Sequence, residues 1–245
     1  MSASFKAFRQ FNDPERQGLA SLRVTLSSRF EVHFSAALHM DRLALALAAR
    51  RALPLKELLE SAEFYMRVRR RIRSEVVVDL CAGHGLVGLL FAAFERSVQR
   101  VILLDRRRPD SFARIRDAVV EVAPWVADKV VYIEESLSRS DAHLPPRAGV
   151  VAVHACGVRT DRCLALATAQ RCAVAVMPCC YAQTARQAPR ALRAALGAEL
   201  TTDIDRTYRL ERAGYAVDWS EIPAAITPMN RVLIGIMPSV PSPRA

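Results

Sequence analysis

From residue 75 onward, short apolar runs rich in β-branched residues alternate with longer stretches whose apolar positions recur every three to four residues. Val76-Val77-Val78-Asp79-Leu80, Val101-Ile102-Leu103-Leu104-Asp105, Val130-Val131-Tyr132-Ile133, Val150-Val151-Ala152-Val153-His154 and Ala173–Met177 read as five strands. Helical spacing falls at 86–94, 109–122, 161–170 and 184–196, and Thr160 reads as an N-cap. Tyr215-Ala216-Val217-Asp218-Trp219 and Arg231-Val232-Leu233-Ile234-Gly235-Ile236 read as two closing strands. Strands that are apolar throughout, rather than alternating, belong to a parallel sheet covered on both faces. The pattern therefore predicts an α/β fold over residues 75–237: a doubly wound, seven-stranded, mostly parallel Rossmann-like sheet.

Residues 1–74 carry a different pattern, dominated by Ala and Leu at helical spacing, and read as an N-terminal helical extension. Phe30, Phe34 and Leu38 lead into the apolar stretch 43–49, which puts His33 and His39 on one amphipathic helix in structural roles. Pro54 opens a second helix through Leu58, Leu59, Phe64 and Val68, in the first-turn position that proline tolerates. That helix leads into the arginine-rich run 67–73, which is either a solvated face or a nucleic-acid contact. Residues 238–245, rich in Pro and Ser, read as a disordered tail.

The most informative segment is the turn Asp79-Leu80-Cys81-Ala82-Gly83-His84-Gly85-Leu86-Val87-Gly88. Gly83-x-Gly85-x-x-Gly88 follows a strand and opens a helix, and Asp105 ends the next strand, where its two oxygens suit a pair of ribose hydroxyls. This much is shared with nicotinamide-dinucleotide sites. Asp79 distinguishes the two, because an acid four residues ahead of Gly83 repels a diphosphate but suits the ammonium of a methionine moiety. The arrangement D-x-x-x-G-x-G resembles motif I of class I S-adenosylmethionine-dependent methyltransferases. The resemblance implies S-adenosylmethionine as cofactor, held by Asp79, Cys81, Ala82, Gly83, His84, Gly85, Asp105 and Arg106. It extends to Glu135 and Ser136 after the third strand, Ser136 standing where such enzymes more often carry Asp or Asn.

Ligands of doubly wound sheets lie over the carboxyl ends of the strands. Two clusters fall there, His154-Ala155-Cys156-Gly157-Val158-Arg159-Thr160-Asp161 and Met177-Pro178-Cys179-Cys180-Tyr181. Together with the glycine turn and Thr227-Pro228-Met229-Asn230-Arg231, they resemble the methyltransferase-domain family of proteins named for a glutathione-S-transferase C-terminal domain. They are more distantly similar to a tRNA ribose 2′-O-methyltransferase. The D/N-P-P-Y motif of many nitrogen methyltransferases is absent. Methyl transfer from a sulfonium is an in-line displacement, so the protein must position and deprotonate the acceptor. His154 is the candidate general base or cofactor contact, Tyr181 a candidate acceptor-holding residue, and Cys179 or Cys180 a candidate nucleophile. A metal site is not expected: the cysteines form no C-x-x-C pair, and adjacent residues such as Cys179 and Cys180 point apart when extended.

Charge and cysteine content refine this picture. Lys+Arg total 35 against 25 Asp+Glu, a formal net charge of +10 that makes RNA the first candidate partner, with protein or small-molecule acceptors also open. Neither a signal peptide nor a ~20-residue membrane span is evident, so a cytoplasmic protein with reduced thiols is expected. Two other functions remain open at this stage: a non-catalytic S-adenosylmethionine-binding module for RNA binding or assembly, and a nicotinamide-dependent oxidoreductase.

Overall fold

A computed structural model describes residues 3–181 and 188–238 of the chain. The elements run α1 (Pro14–Gln17), α2 (His39–Ala49), α3 (Leu55–Val68), β1 (Val76–Leu80), α4 (Leu86–Phe94), β2 (Arg100–Asp105), α5 (Ser111–Val122), α6 (Val126–Lys129) and β3 (Val130–Glu134). They continue through β4 (Gly149–Val153), α7 (Val158–Ala169), β5 (Ala173–Met177), α8 (Arg190–Leu196), α9 (Ala198–Arg212), β6 (Ala216–Glu221) and β7 (Arg231–Ile236). The sheet has seven strands in the order β3-β2-β1-β4-β5-β7-β6. β1 to β5 pair in parallel, and β7 is antiparallel to β5 and to β6.

Alternate residues of each strand enter opposite layers, as a period of two requires. Val77, Val101, Leu103, Val151 and Ala175 join one apolar layer with α3, α4, α5 and the N-terminal aromatic residues. Val78, Leu80, Ile102, Val150 and Val174 join the other, with α7 and Leu210 of α9. The first layer is continuous from Phe5 to Ile234, so the helices before residue 75 share one core with the sheet. Phe8 and Phe11 are completely buried there, each worth roughly 1.5–3 kcal/mol of burial free energy.

Several local expectations are corrected. Phe30 and Phe34 do not begin the helix that carries His39. Residues Ser28–His33 form a 3-10 turn, Phe34 packs against Phe8 and Phe11 while Phe30 joins the same apolar layer, and α2 starts at His39. Thr160 is not an N-cap: it lies inside α7, and its hydroxyl donates to the carbonyl of Ala155. The expected helix 184–196 is described only as Arg190–Leu196, residues 184–187 lying outside the described residues, as do residues 239–245 of the tail. No helix was expected where α9 runs, because its buried face consists of Thr201, Thr202, Asp203 and Arg206 with one Leu, a polar stripe that apolar periodicity does not register.

Candidate active site

A cavity of about 710 Å³ opens at the carboxyl ends of β1, β4 and β5. Its walls come from the β1–α4 turn (Asp79, Cys81, Ala82, Gly83, His84), the ends of β4 and β5 (Val153, His154, Cys179, Cys180), α3 (Lys56, Glu57, Glu60, Ser61), Ser21 with Arg23, and the stretch from Ile226 to Met229 before β7. Eight of the expected site residues therefore converge. Gly85, Asp105, Arg106, Glu135, Ser136 and Tyr181 do not line this cavity.

The turn is built by backbone geometry. Cys81, Gly83 and Gly85 take φ of 59°, 52° and 76°, left-handed values that disfavour residues with a Cβ. A Cβ on Gly83 would meet nothing within 4 Å, so this backbone is open to a ligand. Added to Gly85 or Gly88, it would come within 2.7 Å or 2.3 Å of the Leu103 side chain, so these two glycines serve helix–sheet packing. The Gly83 peptide is held from both ends: its N–H donates to Asp105 Oδ2 at 2.9 Å and its carbonyl accepts from the Tyr132 hydroxyl at 2.8 Å. Asp105 Oδ1 accepts from the Arg106 N–H at 2.7 Å. Asp79 is buried on the α4 side of the sheet, where its Oδ2 accepts the Gly88 N–H at 3.0 Å. Burial, against that hydrogen bond and assisted by the nearby Asp105 charge, pushes its carboxyl up to about 7. The Glu135 N–H donates to the Asp105 backbone carbonyl at 2.9 Å, and the Glu135 carboxylate accepts from the Ser136 N–H and from Arg139.

Helix α3 supplies what the sequence reading missed. Glu57 and Glu60, one turn apart, each face a histidine at the end of a different strand. Glu57 Oε2 lies 3.4 Å from His84 Nε2, and Glu60 Oε2 lies 3.1 Å from His154 Nε2. Lys56 pairs with the other oxygen of Glu60. Burial alone would raise the Glu60 carboxyl, but the His154 hydrogen bond and charge, together with Lys56, outweigh it and hold the carboxyl below its ordinary value. A carboxylate can only accept, so the proton of this contact sits on His154 Nε2, and in the neutral form of the ring Nδ1 keeps the lone pair. His154 itself takes a left-handed φ of 59° and donates its N–H to the Met177 carbonyl at 3.2 Å. A signal for Glu60 was available: Leu59, Glu60, Glu63, Phe64 and Arg67 share one face of the helix, and charges on a buried face need partners.

Tyr181 is buried outside the cavity lining, and its hydroxyl donates to Asp203 Oδ2 at 2.8 Å. It belongs to a network in which Arg206 pairs with Asp161 and Asp203 while Arg231 pairs with Asp203, holding α7, α9 and β7 together. The expectation that Cys179 and Cys180 diverge fails. β5 ends at Met177, so the next residues are not extended strand, and the Sγ atoms of Cys156, Cys179 and Cys180 lie within 4.8 Å of one another. Burial pushes the Cys179 thiol well up, with further contributions from Cys156 and Cys180, which disfavours Cys179 as a thiolate nucleophile. All six cysteines are free.

The arginine run disperses. Arg67 is buried against Glu63, Arg69 pairs with Glu95, and Arg71 pairs with Asp218. It precedes β1, at the end of the sheet opposite the cavity. Among the described residues, no helix is long and apolar enough to cross a membrane.

Comparison with known proteins agrees with this architecture. A family model described as a methyltransferase domain matches residues 55–187. The chain belongs to this methyltransferase-domain family. The match begins at the start of α3, and so takes in the helix carrying Glu57 and Glu60. A Xenopus laevis glutathione S-transferase C-terminal domain-containing protein is 27% identical over 66% of this chain, which spans 31% of that relative's length. Among solved structures, a Corynebacterium glutamicum protein is 13% identical with a TM-score of 0.51, covering 82% of this chain and 92% of that one. The methyltransferase domain of bacterial CtHen1 is 15% identical with a TM-score of 0.47, over 70% of this chain and 95% of that one. The strand order of this methyltransferase domain, with antiparallel β7 inserted between β5 and β6, departs from the nicotinamide-dinucleotide order, and neither topology nor family supports the oxidoreductase alternative.

Proposed function

We propose that this domain is an S-adenosylmethionine-dependent methyltransferase in which His154, oriented by Glu60, deprotonates a hydroxyl or amine acceptor, with RNA as the acceptor class. The observation that carries the reading is one cavity shared by the Asp79–Gly83 turn and the Glu60–His154 pair. The residues fit the cofactor. Gly83 leaves open space above the turn, Asp79 offers a buried carboxylate to an ammonium group, and Asp105 keeps lone pairs for ribose hydroxyls beside the N–H groups it already binds. S-adenosylmethionine supplies an electrophilic methyl group on a sulfonium. Against it, the protein holds the acceptor in line and takes up its proton at His154 Nδ1, while Glu60 stabilises the imidazolium that results.

What supports RNA is the placement of unpaired charge. Arg23, Arg106, Arg107, Arg108 and Arg159 are exposed, follow or face the carboxyl ends of the strands, and form no ion pair among the described residues. A backbone of phosphates is the ligand such a rim attracts. The test is calorimetry with S-adenosylmethionine, S-adenosylhomocysteine and NADH, followed by incubation with tritiated cofactor and total RNA or protein extract. Binding of the first two with label entering RNA is expected. Binding of NADH alone overturns the cofactor reading, label in protein overturns the RNA reading, and binding without any label points to a non-catalytic module.

A further inference from the structure

The six cysteines sort into two groups. Cys163 and Cys172 are buried, Cys172 facing the Pro145 carbonyl, and Cys81 sits in the glycine turn. The other three, Cys156 from the β4–α7 turn and Cys179 and Cys180 from the segment after β5, converge at the cavity, which Cys179 and Cys180 line. Among the described residues, their thiols have only one another as hydrogen-bonding partners, at 2.9 Å for Cys156–Cys179 and 3.7 Å for Cys179–Cys180.

We infer that Cys156, Cys179 and Cys180 form a three-thiolate site for a zinc ion at the mouth of the cavity. Sulfurs ~2.3 Å from a tetrahedral zinc lie about 3.8 Å apart. The Cys179–Cys180 separation already matches that edge. Cys156 and Cys179 need to part by about 0.9 Å, within reach of a small side-chain rotation. The backbone is fixed beforehand, since the His154 N–H donates to Met177 O and the Gly157 N–H to Cys180 O, both at 3.2 Å. These bonds lock the two ligand-bearing segments together. Soft thiolates select zinc over magnesium or calcium. Each thiol gives its proton to solvent as its sulfur–zinc bond forms, and no oxidation state changes. Three protein ligands leave the fourth position to water or to a group of the acceptor, the pattern of zinc sites that take part in chemistry. The site is independent of whether RNA is the acceptor.

The test uses the whole chain, purified under reducing conditions, dialysed against zinc and then against metal-free buffer. Elemental analysis should find one zinc retained per chain, and cobalt in its place should give a sulfur-to-cobalt charge-transfer band. Cys156→Ser should lower zinc affinity by more than the ~10–100-fold typical of losing an outer-shell partner, while Cys172→Ser leaves it unchanged. If Cys156→Ser does not fold, alkylation of the unmodified protein decides. Zinc must protect Cys156, Cys179 and Cys180 and leave the rate at Cys81 unaltered. No retained zinc, equal alkylation with and without it, or a Cys156–Cys179 disulfide forming in preference to metal binding would overturn the assignment.

Discussion

Glu60 Oε2 lies 3.1 Å from His154 Nε2 across 94 residues of sequence, joining the helix before the first strand to the end of the fourth. A buried carboxylate behind an imidazole fixes its tautomer and stabilises its protonated form. Glu60→Gln should therefore lower kcat by about 10–100-fold, within the range general-base catalysis contributes, with KM for S-adenosylmethionine little changed. Steady-state kinetics check this, and a rise in KM with unaltered kcat would assign Glu60 to binding instead.

Asp79 should couple both stability and binding to pH. Burial raises its carboxyl from 3.8 to about 7, so the folded state favours its neutral form. The stability this contributes is complete below the ordinary carboxylate range and is lost as pH rises toward 7. Thermal unfolding from pH 4 to pH 7 should show wild type losing stability relative to Asp79→Asn. An ammonium group seated over Asp79 favours its ionised form, so S-adenosylmethionine binding near pH 7 should release a proton. Calorimetry in buffers of different ionisation enthalpy measures that release, which should vanish in Asp79→Asn.

The three glycines of the turn should respond differently to alanine. Gly88→Ala places a Cβ 2.3 Å from Leu103 Cδ2 and 3.0 Å from Val101 Cγ1, an overpacking worth about 1–3 kcal/mol of stability. Gly85→Ala adds a left-handed φ to a similar clash. Gly83→Ala has room, and carries only the backbone penalty of roughly 1–2 kcal/mol. Urea unfolding should rank Gly83→Ala as the mildest. Calorimetry should show that it nonetheless weakens cofactor binding, because its methyl group enters the open space above the turn.

Arg206 is completely buried between Asp161 and Asp203. Arg206→Met should cost about 3–5 kcal/mol, because two carboxylates lose their shared cation. Denaturant titration measures the loss. A near-neutral result would show that Arg209 and Arg231, which also reach Asp161 and Asp203, suffice.

The two groups of arginines make opposite predictions for RNA. Replacing Arg106, Arg107 and Arg108 with Gln should reduce the slope of log affinity against log salt by about 2–3, if each neutralises a phosphate. Replacing Arg70 and Arg73, at the far end of the sheet, should leave it unchanged. Filter binding across a salt series reads both, and the reverse result would move the RNA surface to the other edge.

The sheet was legible because its strands are apolar runs punctuated by acids and glycines, and the turn from Asp79 to Gly88 was legible because its constraints are local. Other parts of the site were not. Glu57 and Glu60 meet their histidines only when α3 lies across the strand ends, and the Tyr181 hydroxyl meets Asp203 on a helix without an apolar stripe. Cys179 and Cys180 looked divergent because an extended backbone was assumed where β5 had already ended. For Glu57, Glu60 and Tyr181 the deciding partner is distant in sequence, and apolar periodicity carries no information about it.

One turn beyond Glu60 on the same helix, Glu63 accepts the N–H groups of Lys6 and Ala7 at 2.8 Å and 2.7 Å, while Arg67 reaches the Ser4 carbonyl at 2.6 Å. Residues 4–7 are thus stitched to the helix that holds Glu60 against His154, and any load on that segment falls on α3 from behind the cavity.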